Sequence, residues 1–133
     1  MAIVEEHGYP IALHVERASP GEATLVEATV DAKMIAHLPG RLIGDKAYDS
    51  DGLDKKMSEK HGIELIAPNR KNRCKTQDGR PLRRYKRRWK VERFFSWLQS
   101  YRHITVRYDV YVDNYLSMIQ LACIIMFLNL ILR

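Results

Sequence analysis

Cysteine is scarce in this chain, and it sits where metal chemistry has no use for it. The two cysteines, Cys74 and Cys123, lie in a polar and a deeply apolar stretch respectively. No CxxC pair and no Cys/His ligand spacing accompanies them, so neither a zinc module nor a disulfide framework is indicated. The five histidines (His7, His14, His37, His61, His103) are scattered and read as ordinary surface or core residues. No signal-like apolar stretch opens the chain, so a reducing, cytosolic setting is the expectation. There is no internal repeat and no low-complexity tract. With 46% hydrophobic residues the chain is not intrinsically disordered. Its 133 residues suit one domain with one modest core, not a catalytic core plus a separate DNA-binding domain.

Acidic residues are nearly absent from one block. Residues 70–107 hold 14 Lys/Arg against two Asp/Glu, an excess of +12, whereas residues 1–69 hold 7 against 12. The overall charge of +6 thus comes from a single segment. Such a block is either a solvated basic face or the footprint of a polyanion, nucleic acid or an anionic membrane surface. The membrane alternative draws on residues 115–132, which are uncharged. They contain Ser117, Gln120 and Asn129, polar groups that cost free energy in lipid. A buried core helix is the preferred reading, and no membrane partner is expected.

The pattern along the chain alternates strands and helices. Two strands, 2–7 and 10–18, flank a Gly8–Pro10 turn. A helix opens at Ser19-Pro20, carries the stripe Leu25, Val26, Thr29 and Val30, and stops before Pro39-Gly40. Residues 41–47 read as a short buried strand. A helix capped by Ser50 or Asp51 runs to about Lys60 and ends at His61-Gly62. Strand 63–67 and a basic loop, 68–81, follow. A long helix spans 82 to about 102, residues 104–111 are extended, and a last helix covers 113–132. This order predicts a single mixed α/β sheet covered on both faces.

Two carboxylates stand out. Asp45 closes the strand Leu42-Ile43-Gly44, and ligands gather at the carboxyl ends of strands in open α/β sheets. The alternative is a turn aspartate, with Asp49, Ser50 and Asp51 as turn and cap residues. Glu92 is one of the two acids in the basic block. At about 100° per residue, Tyr85, Arg88, Glu92, Ser96 and Gln99 form one polar stripe. Val91, Phe94, Phe95, Leu98 and Tyr101 form the apolar arc, and Lys86, Lys90 and Arg93 cluster beyond the stripe. The plain alternative for Glu92 is an i−4 pair with Arg88, worth a few tenths of a kcal/mol.

The Asp45 segment, Leu-Ile-Gly-Asp-Lys-Ala-Tyr-Asp-Ser, resembles the second-aspartate motif of insertion-sequence DDE transposases of the IS4/IS5-like superfamily. The segment from Tyr85, Tyr-Lys-Arg-Arg-Trp-Lys-Val-Glu-Arg-Phe-Phe-Ser-Trp-Leu-Gln, resembles their third-carboxylate helix. That signature is Tyr, two residues, Arg, three residues, Glu, six residues, Lys. Tyr85, Arg88 and Glu92 keep the spacing, whereas Gln99 stands at the Lys position and Arg102 lies one turn on. The remaining elements fall in family order over nearly the whole chain.

The resemblance implies a ribonuclease H-like fold in which two Asp and one Glu hold two Mg²⁺ or Mn²⁺ ions. Asp45 and Glu92 are then metal ligands. Tyr85 and Arg88 position DNA, and Arg83, Arg84, Arg87, Lys90, Gln99 and Arg102 contact it. Trp89 and Trp97 either stack on bases or pack in the core. The close spacing of Asp45 and Glu92 leaves no room for a large inserted domain. The implied partners are element-end and target DNA, with a second copy or an N-terminal transposase fragment, in a bacterial, nucleoid-associated, cytoplasmic setting.

The first aspartate belongs on a first strand, central in the family's sheet, which this chain is expected to lack. None of Glu5, Glu6, Glu16, Glu22, Glu27 or Asp31 takes its place. The expectation is a partial ribonuclease H-like domain, either a truncated product or the second frame of a split transposase, inactive alone. Without the central strand two edges face an empty slot, which is costly and invites foreign strands. The isolated chain should therefore be marginal, aggregation-prone or completed by another polypeptide. A circular dichroism melt showing a cooperative, monomeric, hyperstable domain would contradict this.

Overall fold

The computed structural model describes residues 1–16, 21–71 and 83–132, with side chains of the last stretch from residue 86. Ser19-Pro20, the loop 72–81, Leu82 and Cys74 lie outside the described residues, as do the side chains of Arg83, Arg84 and Tyr85.

Strands β1 (Ala2–Val4) and β2 (Pro10–Leu13) form an antiparallel hairpin. Its turn closes through Glu5, whose N–H donates to the Tyr9 carbonyl at 2.9 Å. Gly8 takes φ +92° there, and a Cβ on it would lie 2.8 Å from Arg93 Nη2. The turn therefore requires glycine for its backbone and for the close approach of an arginine. Helix α1 (Glu22–Asp31) follows. Of its predicted stripe, Val26, Thr29 and Val30 are buried, and the Thr29 hydroxyl donates to the Leu25 carbonyl.

Strand β3 (Arg41–Ile43) is shorter than expected because residues 46–48 tighten into a 3₁₀ turn capped by Asp45. Helix α2 (Asp51–His61) starts at Ser50, whose side chain makes no capping bond. Asp51 and Asp54 place negative charge in the first turn, where the helix dipole favours it. Gly62 ends the helix at φ +65°, and its N–H reaches the Met57 and Ser58 carbonyls. Strand β4 (Glu64–Ile66) then pairs in parallel with β3.

The predicted helix 82–102 is broken. Arg83–Arg88 form a 3₁₀ segment, helix α3 covers Trp89–Leu98, and a separate turn, α4, covers Arg102–Thr105. A 3₁₀ turn is common at the start of an α-helix, and this one leads directly into α3. Tyr101 is extended, so Arg102 does not continue the α3 stripe. Residues 106–111 are irregular rather than extended strand, and α5 (Val112–Ile131) closes the chain.

The expected single sheet is instead two two-stranded sheets, β1-β2 and β3-β4, with no strand bridging them among the described residues. The two predicted helical layers are nonetheless present. Period-two alternation on β1 sends Ala2 and Val4 towards Leu13, Phe94, Leu98, Ile119, Ala122 and Cys123. Met1 and Ile3 pack instead with Val26, Val30, Leu53, Met57 and Ile63, a cluster that Leu42, Tyr48 and Leu65 also join.

Within α3 the buried arc is rotated away from Glu92. Phe94 and Leu98 are buried, Trp97 joins their cluster, and Phe95 is 41% exposed. Phe95 lies on the Glu92 side of the predicted arc, and Trp97 replaces it from the other side. Helix α5 is only partly a core helix. Ile119, Ala122 and Cys123 are buried, while Leu121, Ile124, Leu128 and Ile131 are exposed. It is long and apolar enough to cross a membrane by length and composition. Burial pushes the Cys123 thiol up to about 11, so it is a packing residue rather than a nucleophile.

Phe94 is 1% exposed at the centre of the α3–α5 cluster. Phe94→Ala is expected to destabilise the fold by about 3–5 kcal/mol. The check is a lower urea midpoint with an unchanged m-value.

Candidate functional site

The site begins with a strand that runs out of ladder. The Gly44 N–H donates to the Ile66 carbonyl at 2.9 Å, extending the β3-β4 pairing one residue beyond Ile43. A Cβ on Gly44 would lie 2.8 Å from the Tyr48 ring. A glycine here lets the chain fold back so that Tyr48 covers it, and Asp45 is left at the strand's carboxyl end. The Asp45 side chain accepts from the Lys46 N–H as cap of the 3₁₀ turn Lys46–Tyr48. The turn-aspartate reading and the strand-end reading of Asp45 therefore describe the same residue.

Two further contacts fix this corner. Asp49 is buried, and its Oδ2 accepts from the Arg70 N–H at 2.7 Å. The Arg70 guanidinium donates to the Lys46 and Ala47 carbonyls at 3.1 and 2.7 Å. The stretch after β4 thus straps the Asp45 turn. Neither role was legible beforehand: Asp49 read as a turn residue and Arg70 as one cation among many.

Arg88, at the end of the 3₁₀ segment, reaches this corner. Its Nη1 donates to Asp45 Oδ2 at 2.8 Å, and its Nη2 donates to Glu92 Oε1 at 2.9 Å. One guanidinium therefore holds together carboxylates 47 positions apart in sequence. The i−4 pair of Arg88 and Glu92 exists as well, as the plain reading of Glu92 expects. The side chains of Asp45, Arg88 and Glu92 are 48%, 37% and 60% exposed. Exposed pairs of this kind are worth about 0–1 kcal/mol each, so the arrangement matters for geometry more than for stability. Two oxygen-only side chains turned to one cation are a donor set that suits a hard divalent ion.

The other DNA-contact candidates separate into groups. Arg87 pairs with the Glu6 carboxylate, Lys90 donates to the Glu6 carbonyl, and Arg93 donates to the His7 carbonyl at 2.7 Å. These three cations hold the hairpin turn against α3. Trp89 is 50% exposed, with the Arg93 guanidinium 4.9 Å from its ring centroid. Trp97 stacks inward on Phe94 and meets Tyr101 edge-on at 5.0 Å. Gln99 is the exposed residue ending α3, and Arg102 is exposed on α4. The side chains of Arg83, Arg84 and Tyr85 lie outside the described residues.

A family model described as "Transposase DDE domain" matches residues 1–127. The chain belongs to this family. A Burkholderia cepacia protein named "Putative transposase for insertion sequence element IS402" is 26% identical over 139 residues, covering 98% of this chain. The chain spans 63% of the length of that relative. No solved structure matches.

In this DDE-family chain the Tyr48 hydroxyl donates to Glu22 Oε2 at 3.3 Å and lies near Asp45. Burial, and then the negative charge of Glu22, push its phenol up to about 12. The folded state thus keeps this proton longer than the unfolded chain, whose tyrosines titrate near 10. The contribution to stability is complete below pH 10 and is lost as pH rises from 10 to about 12. Phenolate absorbance should show one tyrosine titrating late in the native protein, and Tyr48→Phe should abolish that phase.

Proposed function

We propose that this chain is the C-terminal portion of an insertion-sequence DDE transposase catalytic domain of the IS4/IS5-like group, acting in DNA transposition. The observation that carries the reading is the Arg88-bridged meeting of Asp45 and Glu92. The two residues that match the family's carboxylate motifs converge from a strand end and from a helix that no local rule requires to meet.

Asp45 and Glu92 would hold Mg²⁺ or Mn²⁺, two ions in the complete site. Bound there, the ions supply Lewis-acid activation of water or a DNA 3′-hydroxyl and stabilise the leaving oxygen at a phosphodiester. The chain's own residues set the geometry. The Gly44–Tyr48 turn and the Arg70 strap fix the position of Asp45. Arg88 offsets the repulsion between the two carboxylates and is placed to donate to a phosphate oxygen when released from them. Tyr85, Arg83, Arg84, Gln99 and Arg102 are the proposed DNA contacts. Arg87 and Lys90 act indirectly, by fixing the hairpin turn.

The fold reading is a partial ribonuclease H-like domain over residues 1–133, and the two separate sheets support it. In the family's order the hairpin and the β3-β4 pair flank a central strand that carries the first aspartate. A strand seated between β1 and β3 joins the sheets and brings a third carboxylate beside Asp45. The partner is then an N-terminal transposase fragment or a second copy, and the substrate is element-end and target DNA in the bacterial cytoplasm. Without that strand the chain is inactive as a nuclease. A non-catalytic DNA-binding role is the second reading, favoured by the excess of basic residues over 70–107.

Supplied with the N-terminal part of the transposase, the chain is expected to cleave element-end DNA only with Mg²⁺ or Mn²⁺. Glu92→Gln should reduce cleavage by about 10²–10³-fold or more, the scale of removing an essential electrostatic group. The circular dichroism spectrum should not change. Normal cleavage by Glu92→Gln removes Glu92 from the site. Salt-sensitive, metal-independent DNA binding without any cleavage favours the second reading.

A further inference from the structure

Away from Asp45 and Glu92, three potential ligands converge between the first two helices. Glu27 and Asp31 lie one turn apart on α1, and His61 is the last residue of α2. One donor atom from each lies within 4.8 Å of the others. Acidic groups on a helix surface do not by themselves make a metal site. Here they are joined by His61, whose side chain is only 10% exposed. Its Nε2 is buried without a hydrogen-bond partner and lies 3.7 Å from Asp31 Oδ1. A buried imidazole nitrogen left unbonded is unusual. This one faces a carboxylate oxygen at close to the spacing of two ligands on one tetrahedral ion, about 3.4 Å for bonds near 2.1 Å.

The present cation in the cluster is an ammonium. Lys60 Nζ lies 2.6 Å from Glu27 Oε1 and 3.4 Å from Asp31 Oδ2, and Lys56 Nζ lies 3.6 Å from Glu27 Oε2. These lysines balance the charge of the Glu27 carboxylate. Neither lysine satisfies His61. A divalent ion that displaces Lys60 would neutralise both carboxylates and use the idle imidazole.

We propose that Glu27, Asp31 and His61 form a binding site for a divalent transition-metal ion of the Zn²⁺ class, clamping α1 to α2. The mixed nitrogen and carboxylate donor set selects Zn²⁺, Co²⁺ or Ni²⁺ over Mg²⁺, which favours all-oxygen surroundings. Three protein ligands leave a fourth position for water. The site shares no residue with the Asp45–Glu92 centre and does not depend on the reaction proposed for it.

The test uses the whole purified chain with Zn²⁺ alone, followed by calorimetry and thermal melting, and Co²⁺ alone, followed by absorption. The expected result is one ion per chain, a raised Tm, and visible Co²⁺ bands without a thiolate charge-transfer band. Asp31→Asn and His61→Gln should each weaken binding roughly tenfold or more, at least the scale known for outer-shell partners of metal sites. Asp31 is exposed, so its variant tests the site even if His61→Gln perturbs the fold. Lys60→Met removes the competing ammonium and should tighten binding. The proposal is overturned by no rise in Tm with Zn²⁺, by thiolate bands that place the ion on cysteine, or by unchanged affinity in Asp31→Asn. Weaker or unchanged binding by Lys60→Met overturns it as well.

Discussion

Met1 and Ile3 point to one hydrophobic cluster and Ala2 and Val4 to the other, so three residues of strand sit between two layers of helices. The rest of the structure depends on that insertion. The face with α1 and α2 supports β3 and β4 through Leu42 and Leu65, and hence the corner where Asp45 stands. The face with α3 and α5 sets the rotation of α3, and hence the direction of Glu92. A register slip of one residue in β1 would exchange the two faces and send Ala2 and Val4 to the wrong layer. The Met1 amino group, donating to the His14 carbonyl at 2.6 Å, helps to hold that register.

Much of the order of elements was legible because it rests on local rules. Gly62 in the left-handed region, the Val26–Val30 stripe and the strand-end position of Asp45 all follow from short-range patterns. The failures arose where longer-range packing or charge overrode them. An uninterrupted helix from 82 to 102 is broken by the 3₁₀ segment Arg83–Arg88 and by the extended conformation of Tyr101. The apolar arc gave Phe95 the place that Trp97 takes, because the helix turns its centre of burial away from the solvated Glu92 edge. The single sheet failed because the periodicity of a strand says nothing about which neighbour it pairs with. The candidate carboxylates were identifiable from their motifs, but the Arg88 link between them is a contact across 43 positions that no spacing rule contains.

Charge counting likewise misstates the surface. The basic block reads as either a solvated face or a polyanion footprint, yet Arg70, Arg87, Lys90 and Arg93 all donate to protein oxygens. Their work is to fasten two turns, one beneath Asp45 and one at the hairpin. Arginine suits this use because its rigid fork reaches several carbonyls at once and it stays charged at any physiological pH.

The separation into two small sheets bears on how the molecule assembles. The hairpin closes over a short turn, and β3 and β4 close around α2, so each sheet is built from contacts near in sequence. Asp45 adjoins the second sheet, whereas Glu92 belongs to the helix that packs on the first. Their meeting at Arg88 therefore requires α3 and the β3-β4 corner to be packed together. An opening between these two regions would part the carboxylate pair, so the geometry of this centre depends on packing between elements rather than within one.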